Sequence, residues 1–333
     1  MDWLTNLVSL LLFPLYYLTQ PDSQYYWPTY VASGVAAVVL YMVVRRRWHL
    51  SFHAIKELLL PTKLLEHKSS KLDAKMFFAG LYYLALQVLL VGGTTVLTVS
   101  GTVAAMTRLF GPGPAPIGPS WIVTGLTMFL VFMAVEFGYW LAHFAMHKVP
   151  ALWEFHKVHH SAEVLTPLTE WRQHPVELAL FPILMSGAAC LVQGPMVWAF
   201  GASAQVIDPM KANLLSMAFW YSILHLRHSQ LPITATGWLG RIIQTPAHHQ
   251  AHHSTDQRHY DTNMGYCLAF WDWVFGTLYV PRKGETFAFG LGHEDSALET
   301  VWGSILAPIG RFAVIVLKGL GIELKPAGKS REV

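Results

Sequence analysis

Charge is what this chain has least of. Only 13% of its 333 residues are Asp, Glu, Lys or Arg, while 53% are hydrophobic, a balance too apolar for an ordinary soluble domain. The apolar residues fall in runs long enough to cross a bilayer. The formal charge of +3 and pI near 8.7 therefore describe the loops of a membrane protein and give no case for a nucleic-acid partner. Cysteine is nearly absent: Cys190 and Cys267 can build neither a disulfide framework nor a thiolate metal site. No HExxH occurs, which argues against a zinc-dependent membrane hydrolase. The opening MDWLTNLVSLLLFPLYYLTQ has an acidic flank and no A-x-A site, so a removable signal peptide is not expected.

Histidine, by contrast, is concentrated. Thirteen of 17 lie between residues 143 and 259. One pattern is written twice, HKVHHS at 156–161 and HQAHHS at 249–254, with imidazoles at i, i+3 and i+4. On a helix of about 3.6 residues per turn all three lie on one face, a metal-ligand spacing. His143 and His147 add a pair at i and i+4. A single histidine is most often a packed or hydrogen-bonded residue, but this repetition is not explained that way.

The spans order themselves around these motifs. Apolar runs at 3–19 and 27–44 read as a helical hairpin. Arg45, Arg46 and Arg47 follow, and the stretch to Lys75 holds Lys56, Lys63, Lys68 and Lys71 against Glu57, Glu66 and Asp73. The positive-inside rule puts that stretch in the cytoplasm. A run at 76–106 leads outward to the Pro/Gly connector 111–119, which cannot be helical, and 121–142 returns, so His143 and His147 emerge on the cytoplasmic side. The apolar stretch 176–207, interrupted by Gly194-Pro195, and the run 212–224 are expected to form a hairpin that turns near Gly194-Pro195. Residues 230–293 read as a polar, aromatic cap. Arg311 and Lys318 favour an in-plane amphipathic helix over a span at 300–320, and the tail LKPAGKSREV reads as disordered.

The expected fold is an all-α integral membrane protein: about four spanning helices plus a membrane hairpin, under a cytoplasmic histidine-rich cap. It divides into N-terminal helices with the basic loop (1–118), a catalytic region (119–293) and an amphipathic C-terminal segment (294–333). A bacterial-type plasma membrane is favoured, with the endoplasmic reticulum as the alternative.

His143, His147, His156, His159, His160, His249, His252 and His253 exceed the roughly four positions of one zinc site. At about four or five imidazoles per ion they imply two ions. Imidazole suits iron, zinc, copper and nickel. A site at the mouth of a membrane bundle, reachable by an alkyl chain, favours a redox metal. His228 of the HLRH turn is a further ligand candidate. His225 and His174 stand as ligands or as partners of ligands, and His248 as a packing residue or a partner of a ligand. Ligating imidazoles usually donate their other N–H to a carboxylate or carbonyl. Glu136, an acid inside a membrane helix, Asp261 and Asp272 are the candidate acceptors, and Asn263 is a cap, a bridge or a turn residue. The competing class is a membrane metal transporter or metal-binding protein, which predicts ligands strung along a conduit in mid-membrane.

These motifs resemble the fatty acid hydroxylase and sterol desaturase superfamily, integral-membrane di-iron oxygenases whose signature is HxxxH, HxxHH and a distant HxxHH. Here it stands as HFAMH at 143–147, HKVHH at 156–160 and HQAHH at 249–253. The likeness covers roughly 120–280 and includes Thr245-Pro246 before the last box and, after it, the Asp-x-Asn-x-Gly turn at 261–265 and WDWVFGT at 271–277. It implies a helical membrane bundle with a cytoplasmic di-iron centre that uses O2 and two electrons to hydroxylate or desaturate a lipid or sterol-like substrate taken from the bilayer. No HPGG haem motif and no GxGxxG occur, so the resemblance implies a separate ferredoxin- or cytochrome b5-type donor. The HLRHSQ turn departs from the fatty acid 2-hydroxylase pattern and leaves the substrate class open.

Overall fold

Among the described residues every regular element is a helix, with only two isolated bridges, Ile243 to Leu268 and Ser254 to Phe289. The structure, a computed structural model, describes residues 12, 15–16, 18–21, 23, 25–115, 118–206, 213–231 and 233–322. Most of the first apolar run, the stretch around Asp208 and the C-terminal tail lie outside the described residues.

Helix α1 (Trp27–Arg45) shows what the bilayer does to a helix. Thr29 and Ser33 are buried against the protein while Val31, Val35, Val39 and Val43 form an exposed stripe at steps of four. Apolar side chains face outward because the surrounding solvent is hydrocarbon, and the hydroxyls turn inward to partners. The basic segment follows in α2 (Phe52–Leu59) and α3 (Thr62–Glu66).

Helix α4 (Lys68–Phe110) has 43 residues. At 1.5 Å per residue it is roughly 65 Å long, about twice the ~30 Å of hydrocarbon. Only Leu86–Phe110 is long and apolar enough to cross a membrane. Its first turns are built for the cap instead. Asp73, fully buried, accepts from Arg172 Nη1 at 3.2 Å and Thr169 Oγ1 at 2.6 Å, and Leu72 and Met76 pack on Val158 and Leu298.

Helix α5 (Trp121–Lys148) is capped by Ser120, whose hydroxyl accepts from the Val123 amide. After the single corner residue Val149 comes α6 (Pro150–His160). Helix α7 (Pro175–Phe200) packs against both α4 and α5. A Cβ on Gly138 of α5 would lie 2.5 Å from the Leu184 carbonyl oxygen, and one on Gly194 of α7 would lie 1.7 Å from Thr102 Oγ1. Both glycines therefore set how closely the helices approach.

The sequence expectation of a turn at Gly194-Pro195 is corrected here. Helix α7 runs through both Pro182 and Pro195 to Phe200, and the turn comes at Gly201–Ala204. A proline removes one helical hydrogen bond, and neighbouring packing in a membrane bundle tolerates that. Gly194 is used for contact with α4, not for reversal. The chain then returns through α8 (Leu214–Trp220).

The cap contains only short helices, α9 (Pro246–His252) and α10 (Phe270–Phe275), before α11 (Val301–Gly319). Among the described residues four segments have the length and hydropathy of spans: Leu86–Phe110, Trp121–Lys148, Pro175–Ala204 and Val301–Gly319. The last packs on the cap side. Phe312 lies 5.2 Å from Phe155 of α6, and the Ile305 carbonyl faces His174 Nε2 at 2.9 Å.

Candidate metal centre

Four elements converge on the cap side of the bundle. The last turns of α5 carry His143 and His147, α6 carries His156, His159 and His160, the turn at Leu224–Leu226 leads to His228, and α9 carries His249 and His252 with His253 at its C-cap. Helix α9 is started by a capping box in which Thr245 and His248 bond each other, 2.6 Å between Oγ1 and Nδ1. The cap thereby occupies His248 and leaves the next three histidines to turn inward.

The nine side chains form two groups. His143, His147, His156, His160 and His252 make one, and His159, His228, His249 and His253 the other; within each group the potential ligand atoms all lie within 4.8 Å of one another. The repeated motif explains the division. From HKVHH, the i and i+4 rings join the five-histidine group and the i+3 ring the other. From HQAHH, the i and i+4 rings join the four-histidine group and the i+3 ring the five. The two copies are crossed, each serving both groups.

Hydrogen-bond chemistry fixes the tautomers. His143 Nδ1 donates to the Met264 carbonyl at 2.8 Å and His252 Nδ1 to the Thr262 carbonyl at 2.7 Å. His156 Nδ1 lies 2.9 Å from Glu177 Oε1, and His228 Nδ1 lies 2.9 Å from Glu170 Oε2. The two backbone carbonyls have no proton to give, and Arg227 keeps Glu170 ionised, so on His143, His252 and His228 the hydrogen sits on Nδ1 and Nε2 is a bare lone pair. Yet His143 Nε2 faces His156 Nε2 at 3.1 Å, and His228 Nε2 faces those of His159 and His249 at 3.1 and 2.7 Å. His228 has one Nε2 lone pair for two facing imidazoles, and a cation among the rings lets every one of these nitrogens act as a donor at once. Two nitrogens each about 2.1 Å from one ion sit about 3 Å apart, so the donor set fits a pair of imidazole-bound metal ions.

Burial, reinforced by the neighbouring imidazoles, pushes His156, His159, His160, His249, His252 and His253 well below the ordinary histidine value. They are neutral, as ligands must be. Unfolded histidines protonate near pH ~6.5, so below that pH the unfolded chain binds protons that the folded chain refuses. The metal-free protein is thus expected to lose stability as pH falls through about 6.5. Thermal melts of chelator-treated protein at two pH values flanking 6.5 test this, and equal melting temperatures would exclude it.

Known proteins match the part of the chain that holds these residues. A family model described as fatty acid hydroxylase matches residues 128–277. An alkylglycerol monooxygenase of Xenopus tropicalis is 32% identical over 173 residues, covering 52% of this chain and 34% of the relative. The human alkylglycerol monooxygenase is 30% identical over 175 residues, 53% of this chain and 35% of the relative. The ornithine lipid hydroxylase OlsE of Rhizobium tropici is 31% identical over 162 residues, 49% of this chain and 44% of the relative. Residues 128–277 belong to the fatty acid hydroxylase family. The chain spans between a third and a half of the length of these relatives. No solved structure matches it.

All nine clustered histidines lie in the fatty acid hydroxylase segment. His225 and His174 stand outside both groups. His225 Nε2 meets Thr29 Oγ1 at 2.8 Å with its ring stacked on Tyr30, and burial pushes it down to about 4. His174 Nδ1 caps α7 by accepting from the Val176 amide, and its Nε2 donates to the Ile305 carbonyl.

Of the acids singled out by sequence, Asp261 alone contacts a clustered histidine, His147 Nδ1 at 3.4 Å. Its bonds to His147 and Lys148 hold its carboxyl down at about 2. Glu136 accepts the amides of Cys267 and Leu268, at 2.9 and 2.8 Å. Asp272 accepts the amides of Met264 and Gly265, both at 2.8 Å, and burial pushes it up to about 6. Asn263 donates to the His248 carbonyl at 3.0 Å and accepts from the Tyr279 amide at 2.8 Å.

Glu170, Glu177 and Arg227 were not singled out as site residues. Burial opposes ionisation of Glu170, but Arg227 and His228 outweigh it and hold the carboxyl well below the usual range. Arg227 Nε donates to Glu170 at 2.8 Å, and its guanidinium lies 5.5 and 4.8 Å from the rings of Tyr139 and Tyr266. The signal was present in HLRH: a cation in an apolar turn requires a buried anion.

Proposed function

We propose that the chain is a membrane di-iron oxygenase that hydroxylates or desaturates an unactivated C–H position of a lipid or sterol-like substrate, with electrons from a separate ferredoxin- or cytochrome b5-type protein. The observation that carries this reading is the convergence of nine buried or nearly buried imidazoles in two groups at the cap end of an apolar bundle. The names of the relatives, an alkylglycerol monooxygenase and an ornithine lipid hydroxylase, agree with it. Iron there would supply O2 activation, one oxygen atom entering the product in hydroxylation and the other leaving as water.

The rest is the work of this chain's own side chains. His143, His147, His156, His160 and His252 would hold one ion, and His159, His228, His249 and His253 the other. Glu170, Asp261 and the carbonyls of Thr262 and Met264 hold protons on Nδ1 so that Nε2 stays free, and Glu177 orients the His156 ring. The clustered histidines are nearly all buried, which keeps water from the reacting carbon.

A cytoplasmic position for the cap is supported by the basic segment, which shares its side: Lys68 bonds Glu163 at 3.2 Å, two residues after the first HxxHH-Ser motif. An ion conduit is less well supported, since both groups are enclosed at helix ends and are not strung along a span.

The test supplies purified protein in lipid vesicles with iron, a reductant and 18O2. A lipid product carrying one 18O atom, absent without O2, is expected for hydroxylation, and an O2-dependent alkene for desaturation. No O2-dependent lipid product in vesicles, together with identical lipid profiles of cells with and without the gene, would reject the reading.

A further inference from the structure

The two histidine groups are supported differently. Three of the five histidines in the larger group take their Nδ1 partner from one turn, residues 261–265: His252 from the Thr262 carbonyl, His143 from the Met264 carbonyl and His147 from the Asp261 carboxylate, at 2.7, 2.8 and 3.4 Å. Among the described residues no hydrogen bond joins this turn to the four-histidine group, whose support comes from Glu170 on His228.

The turn is held in an uncommon shape. Asp261 and Asn263 both have φ of 57°, in the left-handed region that Asn and Asp tolerate best after glycine. A Cβ on Gly265 would lie 2.1 Å from the Leu268 carbonyl oxygen, so only glycine fits there. Asn263 is tied at four points. Its side chain bonds the His248 carbonyl and the Tyr279 amide, its amide donates to the Thr277 carbonyl at 2.9 Å, and its own carbonyl accepts from Gln244 at 3.0 Å. Asp272 takes the next two amides, with Trp140 Nε1 and Thr277 Oγ1 as further donors.

We propose that this turn is the positioning element of the five-histidine group alone, with Asn263 and Asp272 acting on the metal only through the carbonyls of Thr262 and Met264. This rests on the reading that the two groups bind two ions. Disturbing the turn weakens one ion of the pair by about 10- to 100-fold, the usual effect of losing such support, and leaves the other unchanged.

Cobalt(II) titration of the full-length apoprotein, with chelator competition, tests both levels. Fewer than two ions on the unaltered chain overturns the underlying reading and this inference with it. Two ions there, but unchanged affinities in Asn263→Ala, overturns the inference alone. The expected result is one weakened ion and one unaltered. The unaltered ion should be lost on adding His249→Ala and kept on adding His147→Ala, and the reverse assignment also overturns it. Loss of both ions from a chain with unchanged helical circular dichroism would make the turn a support of the whole cap and reject the claim.

If Asn263→Ala does not fold, the half-exposed Asp261 carries the test. Asp261→Ala should weaken the same single ion. Asp261→Asn, which keeps an acceptor oxygen and tolerates the backbone, should restore it, and equal behaviour of the two would count against the proposal.

Discussion

Replacing His252 or His159 by alanine is expected to abolish lipid turnover and strip metal from the chain, whereas His49→Ala changes neither. His252 belongs to the five-histidine group with its Nδ1 fixed on Thr262, and His159 belongs to the four-histidine group. Both are buried, while His49 is exposed on the basic segment. Removing a ligand should cost more than the roughly 10- to 100-fold lost with a supporting hydrogen bond. Metal analysis alongside product formation checks this, and full activity in either cluster variant would refute the assignment.

The second large effect is on stability. Arg227 and Glu170 form a buried ion pair, and Arg227 Nη2 also donates to Tyr139 Oη at 3.2 Å. Arg227→Ala strands a carboxylate in the interior beside His228, and breaking a buried pair costs about 3–5 kcal/mol. A marked fall in melting temperature is therefore expected. The double variant Arg227→Met with Glu170→Gln removes both charges and should recover most of that loss. It should not recover metal affinity at the four-histidine group, because His228 then faces a neutral amide, a weaker acceptor. Measuring melting temperature and metal affinity in all three variants separates packing from ligand support. An unchanged melting temperature in Arg227→Ala would show that the pair stabilises nothing.

What was legible in the sequence is what depends on spacing along it. HxxxH and HxxHH are local, so eight of the nine converging histidines could be named before any fold was known, and His228 followed from its turn. The split into five and four was not legible, because it depends on how α6 and α9 face each other across some ninety residues. Glu177 and Glu170 reach their histidines from a different helix and a separate 3-10 turn, and no short spacing marks such a meeting. Glu136 and Asp272 were expected to accept from ligating imidazoles and are buried, but both take backbone amides instead, which every residue type supplies. Pro195 misled because a local breaker is weighed against packing that sequence does not display.

The crossing of the two HxxHH copies bears on how the protein matures. His252 of α9 completes the group that α5 and α6 begin, and His159 of α6 joins the group that His228, His249 and His253 make up. Neither set of donors is whole until the ribosome has passed the last motif, His252 for one set and His253 for the other, and the later segment has docked on the earlier one. Loading with metal is accordingly a late event in biogenesis, and a nascent chain arrested before that docking has no finished cradle for either ion.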